Sequence, residues 1–266
     1  MTRARSSSNK AKIARRVIEV LEFFDDDHRE ATVMDIVRRY DRPQSSTSEL
    51  LSSLVELGIL HKDPLSRSYS LTPRAALLGT AGQPEMLRDG RIVRMMDRLV
   101  SQTGHTVCLI GLVGLDAQVV AFRKGARDAV CDQQLAGGAK QPLSELAAGW
   151  LLLSTREPSR RDGMIRRLNA EADDARKFAY SEMVARVAEC GERKYVAGPA
   201  GFGTQAQIVC ALVPQQPEGH PLAIGILTRP ESKLDPDGLV QCIGDAMRHC
   251  LPEYDDGNVE QFSTAA

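Results

Sequence analysis

The sequence predicts an α+β protein of two domains, and three observations lead to that expectation. Residues 11–80 read as three short amphipathic helices and a hairpin, and residues 104–252 as strand pair, helices, strand pair and helix. Between them Thr80, Gly82 and Pro84 interrupt the pattern, which places a domain boundary there. A chain of 266 residues with 42% hydrophobic and 26% charged side chains has room for two modest cores.

The first sixteen residues hold Arg3, Arg5, Lys10, Lys12, Arg15 and Arg16 and no acidic residue, although the formal net charge of the chain is -1. Residues 1–10 are expected to form a disordered basic arm, which either neutralises phosphates or is simply solvated. Ile13, Val17, Val20, Leu21 and Phe24 then recur at helical spacing and stop at Asp25, Asp26 and Asp27, giving a first helix. Thr32 suits the N-cap of a second, short helix bearing Val33, Ile36, Val37 and Tyr40, with Asp35 near its positive end. That helix should end near Asp41, because Pro43 pushes Arg42 out of the helical region.

Pro43 can open a third helix, with Leu50, Leu51, Leu54 and Leu57 as its buried stripe and Gly58 as its stop. Ile59, Leu60 and Lys62, the turn-rich Asp63 to Arg67, and then Tyr69 and Leu71 predict a short hairpin. Three short helices followed by a hairpin make a winged helix-turn-helix, whose recognition helix enters the major groove with its N-terminal end foremost.

This accounts for the run of uncharged polar residues that begins the third helix. Gln44, Ser45, Ser46, Thr47 and Ser48 can approach base edges and phosphates there, where carboxylates would be repelled. Arg38, Arg39 and Arg42 are the expected phosphate contacts, and Lys62 and Arg67 of the wing would touch the backbone or minor groove. The competing reading of the hydroxyl residues is helix capping.

Beyond the wing, Pro73 to Gly79 suggests a short helix, and Glu85 to Thr103 a longer one carrying Leu87, Val93, Met96, Leu99 and Val100, expected as a linker over 81–103. His105–Val113 and Gln118–Phe122 read as strands, followed by the loop GGAKQP and a helix from about Ser144 to Ser154. Helical stretches over Arg160–Leu168 and Tyr180–Cys190, strands over Gln207–Val213 and Leu222–Thr228, and a helix from Pro236 to Cys250 complete the domain. Residues 253–266 are expected to be a flexible tail.

Most reactive chemistries lack their residues. There is no run of about 18 apolar residues and no signal-peptide pattern, so a cytoplasmic protein without a membrane partner is expected. Cys108, Cys131, Cys190, Cys210, Cys242 and Cys250 are scattered, without zinc spacing, and the five histidines show no HExxH. Gly198 to Gly203 is glycine-rich but lacks the Lys-Ser/Thr of a P-loop, and no serine sits in a nucleophile elbow. No catalytic residue, metal or cofactor is therefore expected, and the chain does not read as an enzyme.

The stretch VMDIVRRYDRPQSSTSELLSSLVELGILHKDPLSRSYSLT, followed by PRAALLG, resembles the DNA-binding domain of IclR-type bacterial transcriptional regulators. LVSQTGHTVCLIGLVG, QPLSELAAGWLLLS and GPAGFGTQAQIVCALVP before AIGILTRPE resemble their GAF-like effector-binding domain. The resemblance implies a homodimer or tetramer on double-stranded DNA with a palindromic operator, its affinity modulated by a small-molecule effector. Matched motif to motif, it places Ser144, Glu145, Ala147 and Ala148 at a helix start, Ala206, Ile208 and Cys210 on a strand, and Cys108 on another, all against the effector.

The chain departs from the family's pattern at these positions. Members that recognise small carboxylates tend to carry histidine or threonine where Ser144 stands, glycine near Ala147 and a polar or thiol side chain near Ala206. Those departures point to a more apolar effector, or to a ligand-free C-terminal domain that serves oligomerisation or protein interaction. The competing reading of all eight positions is plain core.

Overall fold

The computed structural model describes residues 9–25, 27–79, 82, 85–127, 135–214, 220–229 and 235–251. The chain divides into two compact units, Met1–Gln83 and Pro84–Ala266. Most of the expected basic arm, the expected C-terminal tail and Cys131 lie outside the described residues.

In the first unit, α1 (Asn9–Phe23), α2 (Val33–Tyr40) and α3 (Gln44–Glu56) pack around Val20, Phe23, Ile36, Leu51 and Leu54. The first helix starts at Asn9, so the end of the segment expected as a disordered arm is helical, and Lys12, Arg15 and Arg16 ride on α1. Helix α2 begins where the Thr32 backbone N–H and hydroxyl both donate to the Asp35 carboxylate, at 2.8 and 2.7 Å. The bonded backbone N–H is the leading reason that this carboxyl sits below the usual range. The turn into α3 uses Asp41 in the left-handed region, φ 50°.

Leu57, expected in the buried stripe of α3, is the C-cap and is exposed; the stripe is completed by Thr47, Leu51 and Leu54. Strands β1 (Leu60–Lys62) and β2 (Tyr69–Leu71) form the antiparallel wing, and Ala31 exchanges both backbone hydrogen bonds with Tyr69 on its other side. Tyr69 is thereby locked into the core, and α4 (Pro73–Leu77) follows.

The second unit is built on one antiparallel sheet of six strands in the order β5-β4-β3-β8-β7-β6. They are β3 (Val107–Val113), β4 (Asp116–Arg123), β5 (Lys140–Pro142), β6 (Tyr195–Pro199), β7 (Gln207–Leu212) and β8 (Leu222–Thr228). Helices cover both faces, which is why β3 and β8 are apolar at almost every position instead of alternating. On one face Val107, Leu109, Ile224 and Ile226 meet α5 (Glu85–Arg88), α6 (Arg91–Thr103) and α10 (Pro236–Cys250). On the other, Cys108, Ile110, Ile208 and Cys210 meet α7 (Ala147–Ser154), α8 (Pro158–Glu171) and α9 (Tyr180–Arg193). Each fully buried large aliphatic side chain in these layers contributes about 1.5–3 kcal/mol.

Three expectations are corrected here. The helix expected from Glu85 to Thr103 is two helices, because Gly90 at φ 75° caps α6 and breaks it from α5. Within the second unit Ile92, Met95, Met96 and Leu99 of this segment are buried beneath the sheet. The loop GGAKQP ends in a three-residue edge strand, and β6 contains Gly198 and Pro199, residues that sequence reasoning assigns to loops. As an edge strand β6 tolerates them, since its outer side needs no ladder partner.

Candidate nucleic-acid interface and effector site

The start of α3 is where a recognition surface would form. Pro43, extended at ψ 135°, leads into Gln44 and Ser45, both exposed, with Ser46 and Ser48 half-buried. Thr47 is different: it is 1% exposed, and its hydroxyl donates to the Pro43 carbonyl at 2.9 Å. It is therefore a core residue whose hydroxyl bonds back to the chain, and it is removed from the set that can read bases. Ser46 also donates to the Pro43 carbonyl, at 3.2 Å; among the described residues no side chain accepts the free N–H groups of the helix start, so the capping reading is not met.

Arg38 and Arg39 project from the last turn of α2 and are exposed. Arg42 is committed elsewhere: its Nη2 donates to both oxygens of Glu19 on α1, at 2.9 and 3.1 Å. This ion pair ties α1 to the turn before α3 and leaves the guanidinium less available to phosphate than expected.

On the wing, Asp63 accepts the N–H groups of Leu65 at 2.7 Å and Ser66 at 3.3 Å, which hold its carboxyl below the usual range. The loop is thereby structured and presents exposed Arg67, at φ 58°, while Lys62 lies 5.4 Å from the Tyr69 ring centre.

Two residues were missed in the sequence. Arg16 of α1 reaches Ser46 Oγ at 3.1 Å, placing a cation at the leading end of α3. Its place in a basic run was visible, but its partner across the fold was not. Glu49 is exposed on α3, about one turn beyond Ser45, on a helix whose sequence QSSTSELLSSLVE has no basic residue.

The eight effector candidates are brought together around the start of α7, but six of them are sealed. Cys108, Ala147, Ala148, Ala206, Ile208 and Cys210 are at most 2% exposed and share one apolar cluster. Burial raises the Cys108 thiol to about 12, so it is neutral and unreactive at ordinary pH. The expected helix over Ser144–Ser154 is interrupted: Leu143–Glu145 form a 3-10 turn, Leu146 is extended, and α7 begins only at Ala147.

At this turn the Ser144 carbonyl accepts the indole N–H of Trp150 at 2.9 Å. Glu145 accepts from Gln141 at 2.9 Å and from Arg176 at 3.0 Å, so its charge is already paired. Gln141 in turn accepts the Phe202 N–H, tying the glycine-rich loop to the same turn. Gly149 allows the whole arrangement, since a Cβ there would lie 2.1 Å from the Leu143 carbonyl oxygen. Among the described residues no group of His, Cys, Asp and Glu is placed to hold a metal, and no helix is long and apolar enough to cross a membrane.

The IclR helix-turn-helix domain model matches residues 14–64. No curated protein sequence matches the chain. Among solved structures, an IclR homologue from Microbacterium hydrocarbonoxydans complexed with 4-hydroxybenzoate is similar, with 20% identity, 90% of this chain and 97% of that chain covered, and a TM-score of 0.57. An IclR transcriptional regulator from Alicyclobacillus acidocaldarius gives 19% identity, 92% and 98% coverage and a TM-score of 0.58. The effector domain of an IclR regulator from Acinetobacter sp. ADP1 aligns at 20% identity over 61% of this chain and 94% of that domain, with a TM-score of 0.51. At these identities the likenesses establish the fold, and they extend it across both units.

Proposed function

We infer that the chain, an IclR-type protein by its helix-turn-helix domain and its fold, is a transcriptional regulator that binds DNA through α3 and the wing. The observation that carries this reading is the exposed, uncharged leading end of α3, with Arg16 bonded to Ser46 there and Arg38 and Arg39 exposed in the last turn of the preceding helix. Gln44, Ser45 and Ser48 would read base edges, the three arginines would meet phosphates, and Lys62 and Arg67 would follow the backbone or minor groove. A homodimer would set two such helices on half-sites one helical turn of DNA, or a multiple of it, apart, which calls for a palindromic operator. Such a regulator works in the cytoplasm, beside the DNA.

Glu49 belongs to this reading. Among the described residues its carboxylate has no partner, and phosphates repel it, so on DNA it is tolerated only opposite a hydrogen-bond donor. In the major groove the donors are cytosine N4 and adenine N6, and Glu49 would impose one of them at its position.

The six-stranded antiparallel sheet with helices on both faces supports the GAF-like reading of the C-terminal domain, and with it a sensory role. The effector would act by binding one arrangement of the protein better than another. The complex of the Microbacterium homologue makes 4-hydroxybenzoate the first compound to try. The sealed state of the six matched positions favours a second reading, in which the domain takes no ligand there and serves oligomerisation.

The deciding experiment is selection of genomic fragments by the purified protein, followed by salt titrations with and without a metabolite panel. A palindromic site whose affinity falls with salt and changes with one compound is expected. Weak binding without sequence preference would remove α3 from the role of recognition helix. Specific binding that ignores every compound, together with no thermal stabilisation by any, would leave the ligand-free reading.

A further inference from the structure

The tip of the wing carries a side chain that its own domain does not use. Leu65, in the turn between β1 and β2, is 93% exposed, while no other large apolar residue among those described exceeds 67%. Turn tips usually hold Gly, Asn, Asp or Ser, which suit the backbone there and lose nothing in water. A lone surface leucine on a loose loop would signify nothing, but this one stands on a turn fixed by hydrogen bonds.

Asp63 opens that turn and Pro64 fixes φ at the next position. The Asp63 carboxylate accepts the N–H of Leu65 at 2.7 Å and that of Ser66 at 3.3 Å, and the Asp63 carbonyl accepts the N–H of Arg67 at 3.0 Å. Below the tip, the Asp63 N–H donates to the Ser68 carbonyl at 2.9 Å, and the Ser68 hydroxyl donates to Glu30 at 2.8 Å, which anchors the hairpin to the segment before α2. Leu65 is thus held outward by its own backbone, and little further ordering of the loop is needed when a partner arrives. Lys62 and Arg67, both exposed, stand on either side of it, and the Asp63 carboxylate is turned to the loop's own N–H groups.

We propose that Leu65 is a wedge that enters the minor groove beside each half-site and partly opens one base step, with Lys62 and Arg67 against the neighbouring phosphates. The proposal rests on the DNA-binding reading above and adds a second element of specificity to it. Cations on both sides of the leucine favour a polyanion over an apolar protein surface. A rigid apolar tip is also the form in which minor-groove proteins unstack bases and bend the duplex. An aliphatic side chain makes no hydrogen bond, so it reads sequence through deformability, and TA and CA/TG steps yield most easily. The operator should therefore favour such a step in its flanks, outside the bases that α3 reads.

The test uses the full-length protein on the operator recovered by selection, with dyes at the duplex ends and a fluorescent adenine analogue, quenched by stacking, placed in turn at each flanking position. The parent should brighten the analogue at one step in each flank and bring the ends closer through a bend of about 20° or more. Leu65→Ala should lose both signals and bind about tenfold more weakly, yet keep the preferences at the bases that α3 reads. Leu65→Phe, which can still wedge, should keep both signals. Leu65 is exposed, so the alanine variant should melt and sediment as the parent does. Specific binding by the parent without brightening or bend, or an equal bend with Leu65→Ala, would overturn the wedge and leave α3 as the reader. A change of association state in the variant would assign Leu65 to contact between copies and overturn it too. Failure of the parent to bind any site specifically would reject the DNA-binding reading, and the wedge with it.

Discussion

Helices α3 and α7 both begin at positions expected to touch a ligand, yet they meet their surroundings in opposite ways. Helix α3 starts with Gln44 and Ser45 in the open and hides only Thr47, Leu51 and Leu54. Helix α7, AAGWLLLS, is apolar all round and buries Ala147, Ala148, Gly149, Leu151, Leu152 and Leu153. A helix with no polar face must be enclosed, whereas one with a polar leading end can leave that end free for a partner. Substitutions should therefore be read out in different quantities: stability at α7, and DNA binding at α3.

The largest effect should come at Gly149. Gly149→Ala drives a methyl into the Leu143 carbonyl and should destabilise the second domain by about 3 kcal/mol, toward the upper end for overpacking. Urea unfolding followed by the fluorescence of Trp150, the single tryptophan of the chain, reports on that domain alone. The matching change on the open face of α3, Ser52→Ala, should alter stability by no more than about 0.5 kcal/mol. A mild effect at Gly149 would mean that the start of α7 yields easily and could part for a ligand.

Ile208→Ala sharpens the same contrast. Ile208 is 0% exposed and leans over Gly225, where its Cδ1 would lie 2.4 Å from an added Cβ. As a packed core residue it should cost about 3 kcal/mol when truncated. A loss below about 1 kcal/mol would mark a loosely filled cavity and restore the effector reading of these positions.

How far the sequence disclosed this contrast depends on the kind of information each feature needs. Periodicity places α2, α3, the wing, β8 and α10 closely, because their apolar spacing and their punctuation agree. Residues Tyr195–Pro199 form an edge strand paired antiparallel with the next strand, β7, but Gly198 and Pro199, residues more usual in loops, masked it. At the sites, the sequence could show that polar residues gather at Gln44 to Ser48. It could not show that Thr47 turns inward to Pro43, or that Arg42 closes on Glu19 twenty-three positions away. The candidate positions Cys108, Ala147, Ala148, Ala206, Ile208 and Cys210 share one apolar cluster, but whether such a cluster is sealed or open depends on how Ile208 and its neighbours pack.

A smaller effect is expected at Glu49, and it concerns preference more than affinity. Glu49→Gln exchanges an acceptor-only group for one that also donates, so the requirement for cytosine or adenine at one base pair should relax by about 1–3 kcal/mol. Selection of binding sites with parent and variant side by side checks this. An unchanged preference would place Glu49 outside the interface, while loss of all specific binding by the parent would reject the recognition helix itself.

The smallest effects separate two neighbours on α3. Thr47→Val keeps the shape but removes the hydroxyl that donates to Pro43 at 2.9 Å, and should cost about 1 kcal/mol of stability in the first domain. Since Thr47 is 1% exposed, the base preference of the protein should not move. Ser45→Ala should do the reverse, leaving stability within about 0.5 kcal/mol and weakening sequence-specific binding relative to non-specific binding. Thermal unfolding and competition between specific and random duplexes measure the two quantities on the same preparations. If Thr47→Val shifted base preference while Ser45→Ala did not, the leading end of α3 would have to rotate on DNA to expose what it now buries. The contrast with α7 would then be one of degree, with each helix start opening only when its partner arrives.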